Sequence, residues 1–228
     1  METNKIKWTR RRIGTGALTT VLMLAGGLAA QAQSKNSPTG KEHMMPKSGA
    51  MTETTSNADI NRLIGSWPED SKKAAMDMTK KYGPPQEATA TMLKWENNGP
   101  WKRTVIYSTA VQHDFPMPHK DVMQQYIDYK VPPEKFDELA EYDGSVVAER
   151  TNGELSARCD KEAANFLAIN LADEVITGKR SPKAAREEYA KQIAAMMAGQ
   201  PAPLTEKLLV VSMTSGTADP DKSVKMKK

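Results

Sequence analysis

The sequence predicts an α+β fold, and three observations carry that prediction. Turn chemistry at Asn97-Asn98-Gly99-Pro100 and at Asn152-Gly153 separates runs rich in Thr, Val, Ile and aromatic residues, which reads as two β-hairpins. Apolar residues at helical spacing recur around those hairpins and call for about five or six helices. The segment from Ala163 to Ile176 is apolar nearly all round, the pattern of a helix buried in the middle of a domain. The expected arrangement is a single domain in which the two hairpins, and a possible C-terminal strand, pack with these helices around a central apolar helix.

Taken in order, Ile60, Leu63 and Ile64 predict a short first helix, and Pro68 opens a second that runs to Tyr82 and stops at Gly83-Pro84-Pro85. Glu87–Trp95 and Trp101–Val111 form the first hairpin. Beyond a proline-punctuated loop, the pairs Val122/Tyr126 and Met123/Ile127 predict a helix that must end before Pro132-Pro133, and Phe136, Leu139 and Ala140 predict another. Ser145–Arg150 and Glu154–Arg158 form the second hairpin. Asp160 is placed to cap the apolar helix, which ends at Gly178. Ser181-Pro182 opens a last helix with its stripe at Ala185, Tyr189, Ile193 and Met196, and Leu208–Val211 is short and β-branched enough for a strand.

The ends of the chain read differently. Lys5, Lys7, Arg10, Arg11 and Arg12 precede an apolar run from Ile13 to Ala30, and Ala30-Gln31-Ala32 matches the small-residue pattern of signal-peptide cleavage before Gln33. Glycines at 14, 16, 26 and 27 dilute the run and argue against a retained membrane anchor. Thr9-Arg10-Arg11-Arg12-Ile13 also resembles a twin-arginine export signal, although Gly14 stands where a large apolar residue is preferred. The expected organisation is a signal peptide over 1–32, a disordered linker over 33–58, the α+β domain over 59–214 and a disordered basic tail over 215–228. The protein is therefore expected outside the cytoplasm, periplasmic or secreted, with no transmembrane segment once the signal is cleaved.

The charge balance sharpens this. The chain has 32 Lys and Arg against 28 Asp and Glu, but five of the basic and one of the acidic residues lie in the first 32, leaving 27 of each. The basic isoelectric point belongs to the signal, so no nucleic-acid partner is expected. A single cysteine, Cys159, excludes an intrachain disulfide, so the domain must hold together by its core.

Chemistry concentrates in His113-Asp114-Phe115-Pro116-Met117-Pro118-His119-Lys120-Asp121. Two imidazoles and nearby carboxylates on a proline-stiffened loop are donor types for zinc or a similar ion, and His113, His119 and Asp121 are the metal candidates, although their spacing follows no established zinc motif. Cys159, His113 and Asp114 are the candidates for thiol chemistry, which needs a base beside the thiolate. The competing assignment makes the loop residues solvated turn formers and Cys159 a small buried hydrophobe. Asn165 and Asn170 interrupt the apolar helix, where each amide must either strap neighbouring backbone or line a polar pocket. Trp95 and Trp101 are candidates for a ligand-stacking face or for the core. No motif calls for a cofactor.

The stretches Trp67-Pro68, Lys81–Pro85, Gly153–Asp160 and Asn165–Ala172 resemble exported proteins of Gram-negative bacteria that carry no assigned activity. That likeness implies the periplasm and no function. Two helices followed by a hairpin over Asp59–Tyr107 are similar in element order to small outer-membrane assembly lipoproteins of the BamE type, but the lipid-bearing cysteine of that family is missing. The expected function is a non-catalytic binding or interaction module for a small molecule or an envelope protein. The alternative is a metal-assisted or thiol-dependent hydrolase using the His113–His119 loop and Cys159.

Overall fold

Helices and strands start and stop where backbone chemistry requires it. The computed structural model describes residues 57–210, 219 and 221–225, all within the compact unit Ala50–Lys228. The expected export signal with its expected cleavage near Ala32, nearly all of the expected linker, and most of the expected tail lie outside the described residues. The described part is α+β, with one open antiparallel six-stranded sheet and five α-helices.

Helices α1 (Asn57–Ile64) and α2 (Glu69–Tyr82) come first, and α2 ends on Gly83 at φ 80°, where a side chain would be strained. The strands β1 (Glu87–Ala88), β2 (Met92–Asn98), β3 (Trp101–His113) and β4 (His119–Asp128) follow as a meander. A short turn of 3₁₀-helix, Pro133–Lys135, leads into α3 (Phe136–Tyr142), and β5 (Val146–Glu149) and β6 (Glu154–Cys159) form the second hairpin. The chain closes with α4 (Glu162–Ile176) and α5 (Pro182–Met197), the latter capped by Ser181 Oγ accepting from Ala184 N at 3.3 Å. The sheet order is β1-β2-β3-β4-β6-β5.

Three expectations are corrected. The segment around Val122–Ile127 is not a helix but β4, which pairs with β3 on one side and β6 on the other and so joins the two hairpins into one sheet. The spacing was ambiguous because residues four apart share a face in a helix and also in a strand. Asp160 does not cap α4. The capping position is Lys161, no side chain caps it, and Asp160 accepts from the Cys159 thiol at 3.4 Å and pairs with Lys161 at 3.0 Å. Leu208–Val210 is not a strand, and Val211 lies outside the described residues. Asn170 holds this segment instead, donating to the Leu204 and Lys207 carbonyls at 3.0 and 2.8 Å and accepting from Leu209 N at 2.8 Å.

Helices cover one face of the sheet. Leu93, Trp95, Ile106 and Met123 meet Ile60, Ile64 and Met78 of α1 and α2. Ile127, Leu155, Ala157 and Val146 meet Phe166, Leu167, Val175 and Tyr189 of α4 and α5. Cross-strand register places both sets on the same side. Each fully buried aliphatic or aromatic side chain here contributes roughly 1.5–3 kcal/mol. Between the two clusters Glu162 accepts from Trp101 Nε1 and Tyr82 OH, both at 2.7 Å, and pairs with Lys81. No described helix is long and apolar enough to cross a membrane.

Candidate functional site: a histidine-carboxylate cluster at the sheet end

The far end of the β3–β4 hairpin brings the chemistry together. His113, the last residue of β3, is the register partner of His119, the first of β4, and their ring centroids lie 5.0 Å apart. Asp121 follows His119 by two residues, so strand alternation turns it to the same side. One donor atom from each of His113, His119 and Asp121 lies within 4.8 Å of the others. The loop between the histidines contains a cis Phe115–Pro116 bond. Phe115 packs on Tyr189 of α5 at 5.1 Å and lies beneath the Arg186 guanidinium at 3.7 Å, which docks the loop against the helical layer.

Each group has a defined partner. His119 Nδ1 donates to the Met117 carbonyl at 2.9 Å, so Nε2 faces inward, 3.1 Å from Asp121 Oδ1 and 3.4 Å from Cys159 Sγ. His113 turns Nδ1 toward Asp121 Oδ2 at 3.5 Å and Nε2 toward Asp143 Oδ1 at 3.8 Å. Ser145 Oγ donates to Asp121 Oδ2 and lies 3.3 Å from His113 Nδ1. Asp143 Oδ1 accepts from Ser145 N at 2.8 Å. Both carboxylates are almost fully buried, Asp121 at 2% and Asp143 at 3% exposure.

Electrostatics follow from this packing. The hydrogen bond to Asp121, and after it the one to Cys159, raises His119 to about 11. Burial pushes the Asp143 carboxyl up. It pushes the Cys159 thiol up as well, outweighing the hydrogen bond with His119, and Tyr189, itself driven well above the usual phenol range by burial, lies against the thiol. The carboxylate field that keeps a proton on His119 is equally suited to a metal cation.

A cavity of about 250 Å³ opens beside the cluster, lined by His119 and Cys159 together with apolar residues that include Pro116, Met117, Ile193 and Met196. Another of about 270 Å³ lies on α1 and α2 against Ile60, Asn61, Met76, Thr79 and Lys80, away from any such cluster.

No protein-family model, curated protein or solved structure matches this chain. Site geometry alone therefore bears on what it does.

The sequence-predicted residues divide cleanly. His113, His119, Asp121 and Cys159 come together. Asp114 does not: it is exposed and accepts from Gln112 Nε2 at 2.7 Å. Trp95 and Trp101 are each 1% exposed and donate to the Gly83 carbonyl at 2.9 Å and to Glu162 at 2.7 Å, so neither ring offers a stacking face. Asn165 donates to Gln125 Oε1 at 3.0 Å and to the Met123 carbonyl at 3.3 Å, tying α4 to β4, and Asn170 straps the chain beyond α5, so both amides take structural partners. Asp143 and Ser145 were missed, because Asp143-Gly144-Ser145 reads locally as a turn and only the β5–β6 pairing carries it to the histidines.

Proposed function

We propose that the protein is an exported metal-binding module, periplasmic or secreted, whose ion is held by His113 Nδ1, His119 Nε2 and an Asp121 carboxylate oxygen. The observation that carries this reading is the convergence of those three donors within 4.8 Å. The far side of each imidazole supports it. His119 Nδ1 is anchored on the Met117 carbonyl and His113 Nε2 faces the Asp143 carboxylate, the arrangement that orients histidine ligands and raises their basicity. Two nitrogens and a carboxylate suit zinc and similar divalent ions.

The same geometry weakens the thiol-dependent alternative. A thiol relay needs one imidazole nitrogen on the sulfur and the other on a carboxylate. Here Cys159 and Asp121 both face Nε2. A metal-assisted hydrolase is the second reading, favoured by the 250 Å³ cavity that reaches His119.

Zinc titration of the purified, metal-stripped protein tests the proposal. Binding of one equivalent is expected, with an increase in thermal stability corresponding to about 2.7 kcal/mol at a free zinc concentration a hundredfold above Kd. His119→Ala is expected to abolish both effects. Absence of stoichiometric binding in the wild-type protein would overturn the reading.

A further inference from the structure

We infer that Cys159 is the fourth ligand of this centre, closing it as an N₂OS site for a thiophilic ion and leaving no coordination position for water. The inference rests on His113, His119 and Asp121 being ligands, and it assigns Cys159 a role in holding metal in place of one in thiol catalysis.

Topology puts the sulfur there. Cys159 ends β6 opposite Met123 of β4, so it lies diagonally beside Asp121 on the helix-covered side of the sheet. Its Sγ is 3.4 Å from His119 Nε2. That nitrogen is 3.1 Å from Asp121 Oδ1, and His113 Nδ1 is 3.5 Å from Asp121 Oδ2. A tetrahedral ion with bonds of about 2.0–2.3 Å spaces its donors about 3.3–3.6 Å apart. The two edges from His119 Nε2, to the sulfur and to Asp121 Oδ1, fall near that range, and one donor atom each of His113, His119 and Asp121 already lies within 4.8 Å of the others, so the sulfur must move toward His113 and Asp121 to complete the tetrahedron.

Charge balance points the same way. Two neutral imidazoles, one carboxylate and one thiolate carry two negative charges, which a divalent cation cancels, as a buried location requires. On binding, the S–H bond of Cys159 breaks, sulfur keeps the electron pair and donates it to the metal, and the proton leaves to solvent, as does the proton on His119 Nε2. Thiolate selects zinc-like ions over magnesium, calcium or manganese. With four protein ligands the centre holds its ion, and the neighbouring cavity gives access to one side of it.

Cobalt(II) provides the test, because Cys159 is the only cysteine in the chain and any thiolate-to-cobalt transition must come from it. The reduced, metal-stripped protein is titrated with cobalt(II) and followed by absorption. Expected are intense visible bands of tetrahedral cobalt together with a strong near-ultraviolet thiolate-to-metal charge-transfer band. Cys159→Ser is expected to lose the charge-transfer band and to bind cobalt at least about tenfold more weakly, while keeping the visible bands at saturating metal. Visible bands without the charge-transfer band in the wild-type protein would overturn the role of Cys159 and leave the three-ligand centre standing. Failure to bind cobalt or zinc at all would overturn both.

Discussion

His113 and His119 face each other across the β3–β4 ladder with ring centroids 5.0 Å apart, and each turns its second nitrogen to an oxygen outside the cluster. For His119 that oxygen is the Met117 carbonyl at 2.9 Å, and for His113 it is the Asp143 carboxylate at 3.8 Å. The pair is thus backed by the loop and by the turn before β5, so in the proposed centre the orientation of the inward nitrogens would depend on residues outside the ligand set.

Asp143→Asn tests that dependence. The amide oxygen can still accept from Ser145 N, now at 2.8 Å, so the turn should persist, while the charge behind His113 is lost. Zinc affinity should fall about 10–100-fold, read by competition with a chromophoric chelator, with the melting temperature in excess chelator nearly unchanged. An unchanged affinity with a lowered melting temperature would reduce Asp143 to a structural residue.

The legibility of this site in the sequence turned on one secondary-structure assignment. With a loop running to His119 and a helix over Val122–Ile127, as the spacing predicts, His119 has no fixed orientation relative to Asp121. As a strand the segment places His119, Asp121 and Met123 on one side. The donors were therefore visible as residue types, but their convergence was not. The hairpin turns at Asn97–Pro100 and Asn152-Gly153 were readable because glycine permits the positive φ they need, 66° at both Gly99 and Gly153. The burial of Trp95 and Trp101 was readable as one of two alternatives, and what decides it, the Gly83 carbonyl just past α2 and the Glu162 carboxylate of α4, comes from distant parts of the chain.

Glu154 gives acid sensitivity a specific origin. Its carboxylate accepts from Arg103 at 2.7 and 2.6 Å and pairs with Lys102 at 2.7 Å. The hydrogen bonds to Arg103 lead in holding it below its ordinary value of 4.5. A depressed carboxylate stabilises the fold fully above the unfolded value and loses that contribution as pH falls through the folded one. Glu154→Gln should therefore cost about 3 kcal/mol at neutral pH, and the gap between the two urea-unfolding midpoints should narrow below about pH 4.5. A gap that stays constant down to pH 3 would contradict this origin.

Asn170 holds the chain beyond α5 through three hydrogen bonds of 2.8–3.0 Å. Asn170→Ala removes all three and leaves the Leu204 and Lys207 carbonyls without that donor. About 1–3 kcal/mol of stability should be lost, and amide hydrogen exchange should rise first at residues 205–210 while β3 and β4 remain protected. Uniform loss of protection across the sheet would instead make this segment part of the global unfolding unit.

Gly99 couples a turn to the buried carboxylate between the two cores. It sits at φ 66°, and a Cβ there would lie 2.9 Å from both Cε1 and the hydroxyl of Tyr82. That hydroxyl donates to Glu162 Oε1 at 2.7 Å, so Gly99→Ala must strain the backbone and also displace a partner of a buried charge. Gly199, at φ 65° with nothing within 4 Å of its would-be Cβ, isolates the backbone part. Gly199→Ala should cost about 1 kcal/mol in urea unfolding and Gly99→Ala about 2–3 kcal/mol, the excess being the displaced tyrosine. Equal losses in the two variants would show that Tyr82 yields freely and that its bond to Glu162 adds little to the fold.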